Sequence, residues 1–206
     1  MNGIYNKFIL PRVTHAICGL GPVMKQRQKV VPLAGGRVLE IGVGSGHNIP
    51  FYSTDQLDHL FALDPSAEML DIARRQMEQY DIPIDYLQGG AEAIPLEDHS
   101  VDSILITYTL CSIQELASSF SEMRRVLKPG GQLIFCEHGK APDKNVLKWQ
   151  KRLNPIWNRL GGGCNLNRNI PELITDGGFR IEKLETMYIP GFKPACFNYW
   201  GVAIPR

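Results

Sequence analysis

Glu40, Gly42, Gly44, Gly46 and Asp64 are the residues whose types and spacing most directly permit chemistry. The apolar pair Val38-Leu39 leads into Glu40-Ile41-Gly42-Val43-Gly44-Ser45-Gly46, and Ala62-Leu63-Asp64 closes the next apolar run. That order reads as a strand, a glycine turn, a helix start and a carboxylate ending a second strand, which is half of a nucleotide-type site. Glycines in such a turn supply positive φ and let a ligand reach the main chain where a Cβ would collide. A dinucleotide fingerprint needs its third glycine three residues after the second, at position 47, where this chain has His47. No Lys-Ser or Lys-Thr pair follows the turn, so a P-loop is excluded as well. Asp64, 22 residues after Gly42, is placed to accept hydrogen bonds from both hydroxyls of a ribose, which implies a free 2′,3′-diol.

A sheet must hold these residues. Apolar runs of strand length occur at 37–42, 59–64, 83–88, 102–107, 131–137, 179–188 and 197–203. Helical stretches separate the first five, which predicts an α/β, single-domain, Rossmann-like seven-stranded sheet, mostly parallel, with helices on both faces. Only residues 190–195 join the last two runs, too few for a crossover helix, so the C-terminal strand is expected to be antiparallel. Helices are expected over 66–80, opened by Ser66 with Met69, Ile72 and Met77 on its apolar side, and over 115–128, ended by Pro129-Gly130. The single domain 1–206 divides into an N-terminal lid segment (1–30), a cofactor-binding core (31–141), a helical insertion (142–170) and a C-terminal strand pair (171–206). In the first segment Ile4, Tyr5, Phe8, Ile9, Val13 and Ile17 suit a broken helix over the glycine turn, with Pro11 breaking or starting it. In the insertion Val146, Trp149, Leu153, Ile156 and Trp157 fall close to one helical face, and Asn154-Pro155 is expected to split the helix.

Composition narrows the function classes. With 206 residues and 44% hydrophobic content, the chain can build one α/β core but not two. A net charge of +1 offers no field for nucleic acid. The five cysteines are scattered without a Cys-x-x-Cys pair, which suggests neither a disulfide framework nor a zinc site and fits a reducing cytoplasm. No apolar run approaches the roughly 18 to 20 residues that span a bilayer, and the start lacks the pattern of a secretory leader. Trp149 and Trp157 beside Lys144, Lys148, Lys151, Arg152 and Arg159 suit peripheral contact with an anionic membrane edge, or a solvated basic face.

Further segments resemble a known family. Gly90-Ala91-Glu92-Ala93-Ile94-Pro95-Leu96 through Asp102, Ser103-Ile104-Leu105-Ile106-Thr107 and Arg125-Val126-Leu127-Lys128-Pro129-Gly130-Gly131 resemble the successive motifs of class I S-adenosylmethionine-dependent methyltransferases of the type 11 group. The resemblance covers most of residues 36–138 and implies S-adenosylmethionine as cofactor. It places the glycine loop, with Glu40, against the methionine part, Asp64 on the ribose, Ala91 and Glu92 beside the adenine, and Thr107 at the cofactor. His47 either touches the methionine end or sits in the first helical turn. Leu110-Cys111-Ser112-Ile113, Cys136-Glu137-His138 and Gly163-Cys164-Asn165-Leu166-Asn167-Arg168 are similar to the methyltransferase-like thiol S-methyltransferases of animal endoplasmic reticulum and lipid droplets. Those animal proteins begin with a hydrophobic anchor, whereas residues 1–30 here are interrupted by Lys7, Pro11, Arg12, His15, Lys25, Arg27 and Lys29.

Methyl transfer from a sulfonium is an in-line displacement, so positioning and dehydration do most of the work. A small thiol is only a few per cent thiolate at neutral pH. A sulfonium about 4 Å away, at an effective dielectric near 20, favours that anion by roughly 4 kcal/mol, so a strong base is not required. His138, after the fifth strand, is the expected group for any remaining proton removal, and Tyr108 and Cys111, after the fourth, are expected to line the acceptor pocket. Asn165 and Arg168 are expected either to order the loop closing over substrate or to cap a helix over 168–177. His15, His59 and His99 read as surface or packing residues. The acceptor expected is a small or lipophilic molecule, first a thiol; a phospholipid amine or a quinone ring is the alternative, and a silent cofactor-binding interaction module the rival of another class.

Overall fold

The structure, a computed structural model, describes Tyr5 and residues 9–206; Ile4, Lys7 and Phe8 of the expected lid lie outside the described residues. The strands are β1 (Gly36–Ile41), β2 (Leu57–Asp64), β3 (Ile84–Gln88), β4 (Val101–Thr107), β5 (Leu127–His138), β6 (Phe179–Tyr188) and β7 (Phe197–Pro205). The helices are α1 (Leu10–Cys18), α2 (Gly21–Val30), α3 (Ala67–Met77), α4 (Leu116–Val126), α5 (Lys144–Leu160) and α6 (Ile170–Asp176). All seven strands form one sheet in the order β3-β2-β1-β4-β5-β7-β6. The first five pair in parallel, while β7 runs antiparallel to both β5 and β6.

Burial on both faces explains the unbroken apolar character of the central strands. Ile104 and Ile106 of β4 join a core layer with Leu39, Leu63, Phe120, Phe135 and Phe179, whereas Leu105 joins the opposite layer with Val30, Val38, Leu60, Ile134 and Trp200. The edge strand β6 is different: it is mostly exposed and carries the ion pairs Arg180–Glu182 at 2.7 Å and Lys183–Glu185 at 3.4 Å. Such charges discourage a further strand from pairing there. Because β1 connects to β2 on one side and lies beside β4 on the other, a topological switch point opens between β1 and β4 at their carboxyl ends.

The structure corrects the ends and faces of two expected helices. The fourth helix stops at Val126 rather than 128, and Pro129-Gly130 lies within β5, where the register slips between Val101–Leu127 and Ser103–Gln132. The extra residues form a bulge that Lys128 braces by gripping Asp102 at 2.8 and 2.9 Å. In α3, Ser66 caps Met69 N–H at 3.2 Å as its type predicts, but Leu70 is buried with Met69, Ala73 and Met77, and Ile72 only partly.

The insertion is a single helix, not two. Pro155 lies inside α5 on its exposed side, so the carbonyl of Lys151 that loses an N–H partner is left beside water. Of the expected apolar face of α5, Val146 is buried and Leu153 and Trp157 are partly so, but Gln150 joins them inward while Trp149 and Ile156 are 55% and 63% exposed. Gln150, fully buried, accepts from Ala141 N at 2.9 Å and donates to Gly139 O at 2.8 Å and Leu166 O at 2.9 Å, binding the insertion to the carboxyl end of β5. A helix-interior proline costs about 3 kcal/mol relative to alanine, partly offset by its restriction of the unfolded chain. Pro155→Ala is therefore expected to raise the stability measured by urea unfolding by about 1 kcal/mol or more; a loss of stability would show that α5 uses the break.

Candidate functional site

The glycine loop follows β1 at the switch point, with Gly42, Gly44 and Gly46 at φ of +73°, +55° and +84°. Gly42 N and Val43 N both donate to Leu63 O, at 2.8 and 3.1 Å, which pins the turn against the end of β2. A Cβ on Gly42 would sit 2.3 Å from Thr109 Oγ1, and one on Gly46 would sit 2.5 Å from Ile49 Cδ1. A Cβ on Gly44 would meet only Met69 Cε at 3.4 Å and Gly42 O at 3.9 Å, so its open side belongs to the cavity. Asp64 closes the cradle: Oδ2 accepts from Gly44 N and Oδ1 from Ser66 N, each at 2.9 Å. Burial raises its carboxyl above the usual range, and these two N–H bonds oppose the rise.

Two adjoining cavities occupy the crevice. One of about 280 Å³ is walled by the glycine loop, Asp64, Thr107, Tyr108 and, from α1, Leu10, Pro11, Thr14 and Cys18. The other, of about 350 Å³, is walled by Leu63, Gly89, Gly90, Ala91, Glu92 and Ile113 among others. They share Gly42, Pro65, Thr109, Ser112 and Gly162, so an elongated ligand lying past Asp64 could occupy both. Helix α1 is fastened across the loop by two histidines. His15 Nδ1 meets Ser45 Oγ at 2.7 Å, and His47 Nε2 meets the His15 carbonyl at 2.9 Å, with the rings stacked 4.7 Å apart. A carbonyl only accepts, so His47 carries its proton on Nε2, and burial holds its pKa below the ordinary value. His15 is thus a packing residue that supports the site wall.

Behind the cavity lies a buried polar network that the sequence reading missed. Arg27 of α2 donates through Nη1 to Asn48 Oδ1 at 2.8 Å and Thr107 Oγ1 at 2.5 Å, and its guanidinium lies 5.1 Å from the Tyr108 ring centroid. Asn48 Nδ2 donates to Glu40 Oε1 at 2.8 Å, and Tyr52 Oη donates to Glu40 Oε2 at 2.6 Å. Glu40 consequently lines neither cavity; burial pushes its carboxyl up to about 7 despite those donors. Arg27 does border the first cavity, and its Nε is buried without a partner among the described residues. The available signal was an arginine one turn before Val30 on the inward side of α2; Asn48, inside a loop, gave none.

The other expected residues separate into two groups. Gly42, Gly44, His47, Asp64, Thr107 and Tyr108 line the first cavity, and Ala91 and Glu92 the second. Gly46 is spent on packing against Ile49. Tyr108, at φ +54°, donates through Oη to Asn198 Oδ1 at 2.6 Å, and burial keeps its phenol protonated far above pH 7. Cys111 and His138 line neither cavity. His138 Nε2 instead meets Cys164 Sγ at 3.2 Å, Cys111 Sγ lies 3.3 Å from Cys164 Sγ, and Trp157 Nε1 donates to Cys164 Sγ at 3.3 Å. The Cys111 thiol above all, with His138 and Trp157, pulls Cys164 down to about 4 against desolvation. Burial opposes a charge on His138, but Cys164 outweighs it and raises the imidazole pKa. Nε2 is thus engaged by Cys164 and Nδ1 is buried without a partner among the described residues, so in this structure the imidazole expected as a base at the acceptor does not reach either cavity wall. Asn165 Nδ2 donates to Cys111 O at 3.0 Å and Arg168 Nη1 donates to Leu110 O and to Ile113 O, so both order the loop after β4; α6 itself starts at Ile170 with Asn169 before it.

The chain is similar to known methyltransferases. The family described as "Methyltransferase domain" matches residues 39–135. Thiol S-methyltransferase TMT1B of Rattus norvegicus is 34% identical over 152 residues, covering 72% of this chain and 62% of the rat protein. Demethylmenaquinone methyltransferase of Renibacterium salmoninarum is 34% identical over 129 residues, covering 61% of this chain and 52% of that protein. The chain thus spans between half and two thirds of the length of these curated relatives. Among solved structures, a SAM-dependent methyltransferase of Thermotoga maritima superposes with a TM-score of 0.69 at 20% identity, covering 98% of this chain and 100% of that one. One from Leishmania major gives 0.70 at 18% identity, covering 96% and 80%.

Two buried carboxyls set a pH dependence. Glu40 and Glu137 are both pushed up to about 7 by burial, against the N–H and O–H donors that each accepts. The folded chain therefore binds protons that the unfolded chain releases above about pH 4.3, so stability is greatest at low pH in this window and falls as pH rises through 7. Glu40→Gln keeps an acceptor for Asn48 and offers an N–H to Tyr52 Oη. Its thermal midpoint is expected to change less between pH 5 and 8 than that of the wild type; an equal or steeper slope would refute the assignment.

Proposed function

We propose that this chain, which belongs to the methyltransferase-domain family, transfers a methyl group from S-adenosylmethionine to a small or lipophilic acceptor, a thiol sulfur first. The observation that carries this reading is the open side of Gly44 beside the Asp64 carboxylate, a main-chain cradle with one acidic group for a ribose. The residues present suit the cofactor. Asp64 offers its remaining lone pairs to the two ribose hydroxyls, the Gly90 to Glu92 wall accommodates the base, and the Arg27 guanidinium, which borders the same cavity as His47, supplies positive charge for an amino-acid carboxylate. Bound there, S-adenosylmethionine supplies an electrophilic methyl group on a sulfonium.

What remains for the chain's own residues is to position the acceptor and exclude water. Leu10, Pro11 and Thr14 of α1 roof the first cavity, and the Tyr108 ring, locked by Asn198 and braced by Arg27, forms its inner wall. Tyr108 cannot take a proton, because its phenol is already protonated and donating. The imidazole on the wall of that cavity is His47, whose Nδ1 bears the lone pair because Nε2–H is committed to His15. An acceptor that arrives already ionised suits such a wall, which favours a thiol over an ammonium. Glu137, the carboxyl next to His138 that an amine acceptor would need, is sealed away: fully buried, with Thr109 N and Leu110 N on Oε1 at 2.6 and 2.9 Å. The similarity to the rat thiol methyltransferase also covers more of this chain, 72% against 61% for the menaquinone enzyme.

Asp64→Ala is expected to weaken S-adenosylmethionine binding at least 50-fold in calorimetry, consistent with losing charged hydrogen bonds of about 1.5 to 3 kcal/mol each. Undiminished affinity would remove Asp64 from the site, and no wild-type binding at millimolar ligand would remove the cofactor. A labelled-methyl assay offering alkyl and aryl thiols, phosphatidylethanolamine and a demethylated quinol is expected to label the thiols. Label only in the quinol would replace the acceptor, and label in none would favour the silent binding module.

A further inference from the structure

Cys111, His138 and Cys164 are 53 positions apart from first to last and share no short spacing, yet their donor atoms lie within 4.8 Å of one another. We propose that Cys111 Sγ, His138 Nε2 and Cys164 Sγ together bind one thiophilic d10 cation, zinc first, with a fourth coordination position left open. The site is outside both cavities and does not rest on the methyl-transfer reading. Zinc bonds of about 2.0 to 2.3 Å at tetrahedral angles separate neighbouring donors by roughly 3.3 to 3.8 Å. Two edges, 3.3 Å between the sulfurs and 3.2 Å between His138 Nε2 and Cys164 Sγ, need only open by a few tenths of an ångström, and the third, between Cys111 and His138, lies within 4.8 Å and closes by at most about 1 Å.

The donor set selects the ion. Two thiolates and an imidazole favour zinc or copper(I) over magnesium or calcium, and two thiolates neutralise a dication, which suits a site where an uncompensated charge would be costly. The two cysteines are held by outer groups as metal ligands are. Trp157 Nε1–H points at Cys164 Sγ, Ser112 Oγ lies 3.4 Å from Cys111 Sγ, and Asn165 N and Nδ2 both donate to Cys111 O at 2.9 and 3.0 Å, joining the two cysteine segments. His138 sits at the paired end of β5, opposite Asn198 of β7, and its Nδ1 has no partner among the described residues. A proton moved to Nδ1 therefore frees the Nε2 lone pair without breaking another bond. Among the described residues no fourth His, Cys or carboxylate joins the group, hence the open position. The ion would clip together the loop after β4, the end of β5 and the loop after α5, closing long stretches of chain.

The test is a cobalt(II) titration of the reduced, chelator-treated full chain. Expected are thiolate-to-cobalt charge-transfer absorption saturating at one equivalent, its loss on adding zinc, and zinc protection of Cys111 and Cys164 from alkylation, mapped by mass spectrometry. Cys111→Ser and Cys164→Ser should each weaken cobalt binding at least tenfold, whereas Cys196→Ser, in the loop before β7, should retain it. Alkylation mapping uses the wild-type chain, so the proposal stays testable where a serine variant does not fold. It is overturned if no absorption appears at one equivalent, if the band persists in Cys164→Ser, or if zinc leaves both thiols unprotected. Recovery of the pair only as a Cys111–Cys164 disulfide, with no metal bound after reduction, would equally overturn it.

Discussion

The Asp64 carboxylate accepts one main-chain N–H from each of two segments, Gly44 in the loop after β1 and Ser66 at the start of α3. Through those two bonds a single side chain at the end of β2 sets the distance between the glycine turn and the next helix. Both segments would otherwise be loops with unpaired donors facing a cleft. The pairing also leaves the carboxylate partly desolvated while keeping lone pairs available, which is the condition for strong hydrogen bonds to hydroxyls. Every other feature of the crevice is arranged around this fixed point: the shared wall of the two cavities includes Pro65, its immediate neighbour.

A second layer keeps the fixed point in place. Arg27, Asn48, Thr107, Glu40 and Tyr52 form a continuous chain of hydrogen bonds from α2 through the loop after β1 to the ends of β1 and β4. Buried charge is stable only when it is paired and bonded, and here the guanidinium and Glu40 are joined through one amide instead of a direct contact. The network explains why the N-terminal helices belong to the site: α2 delivers Arg27 beneath the cavity, and α1 is fastened above it by His15 and His47. The cofactor crevice is therefore closed by elements outside the alternating strands and helices that built it.

The insertion plays the matching part on the other side. Gln150 ties α5 to the end of β5, while Trp157, Cys164, Asn165 and Arg168 tie the loop after α5 to Cys111, Leu110 and Ile113 in the loop after β4. Pro155 is tolerated within this helix because its unpaired carbonyl partner faces water. One face of α5 remains uncovered, with Trp149 and Ile156 mostly exposed beside lysines and arginines.

The sequence alone determined the alternation of strands and helices, the antiparallel ending, and the cradle of Gly42, Gly44 and Asp64. Each follows from short-range rules: unbroken apolar runs of strand length, the 3.6-residue helical periodicity, a glycine's access to positive φ, and a carboxylate closing a strand. The loop residues Ala91 and Glu92, and Thr107 at the end of β4, were legible for the same reason, since strand ends in such a sheet face one crevice. Only the tertiary structure decided the fate of Glu40 and His138, because burial and side-chain partners, Asn48 and Tyr52 in the following loop for one and Cys164 26 positions on for the other, turned them from the cavity. It alone brought Arg27 under Tyr108 and gathered Cys111, His138 and Cys164. Those contacts join residues 26 to 81 positions apart, across strand order and helix docking, and no local pattern encodes such distances.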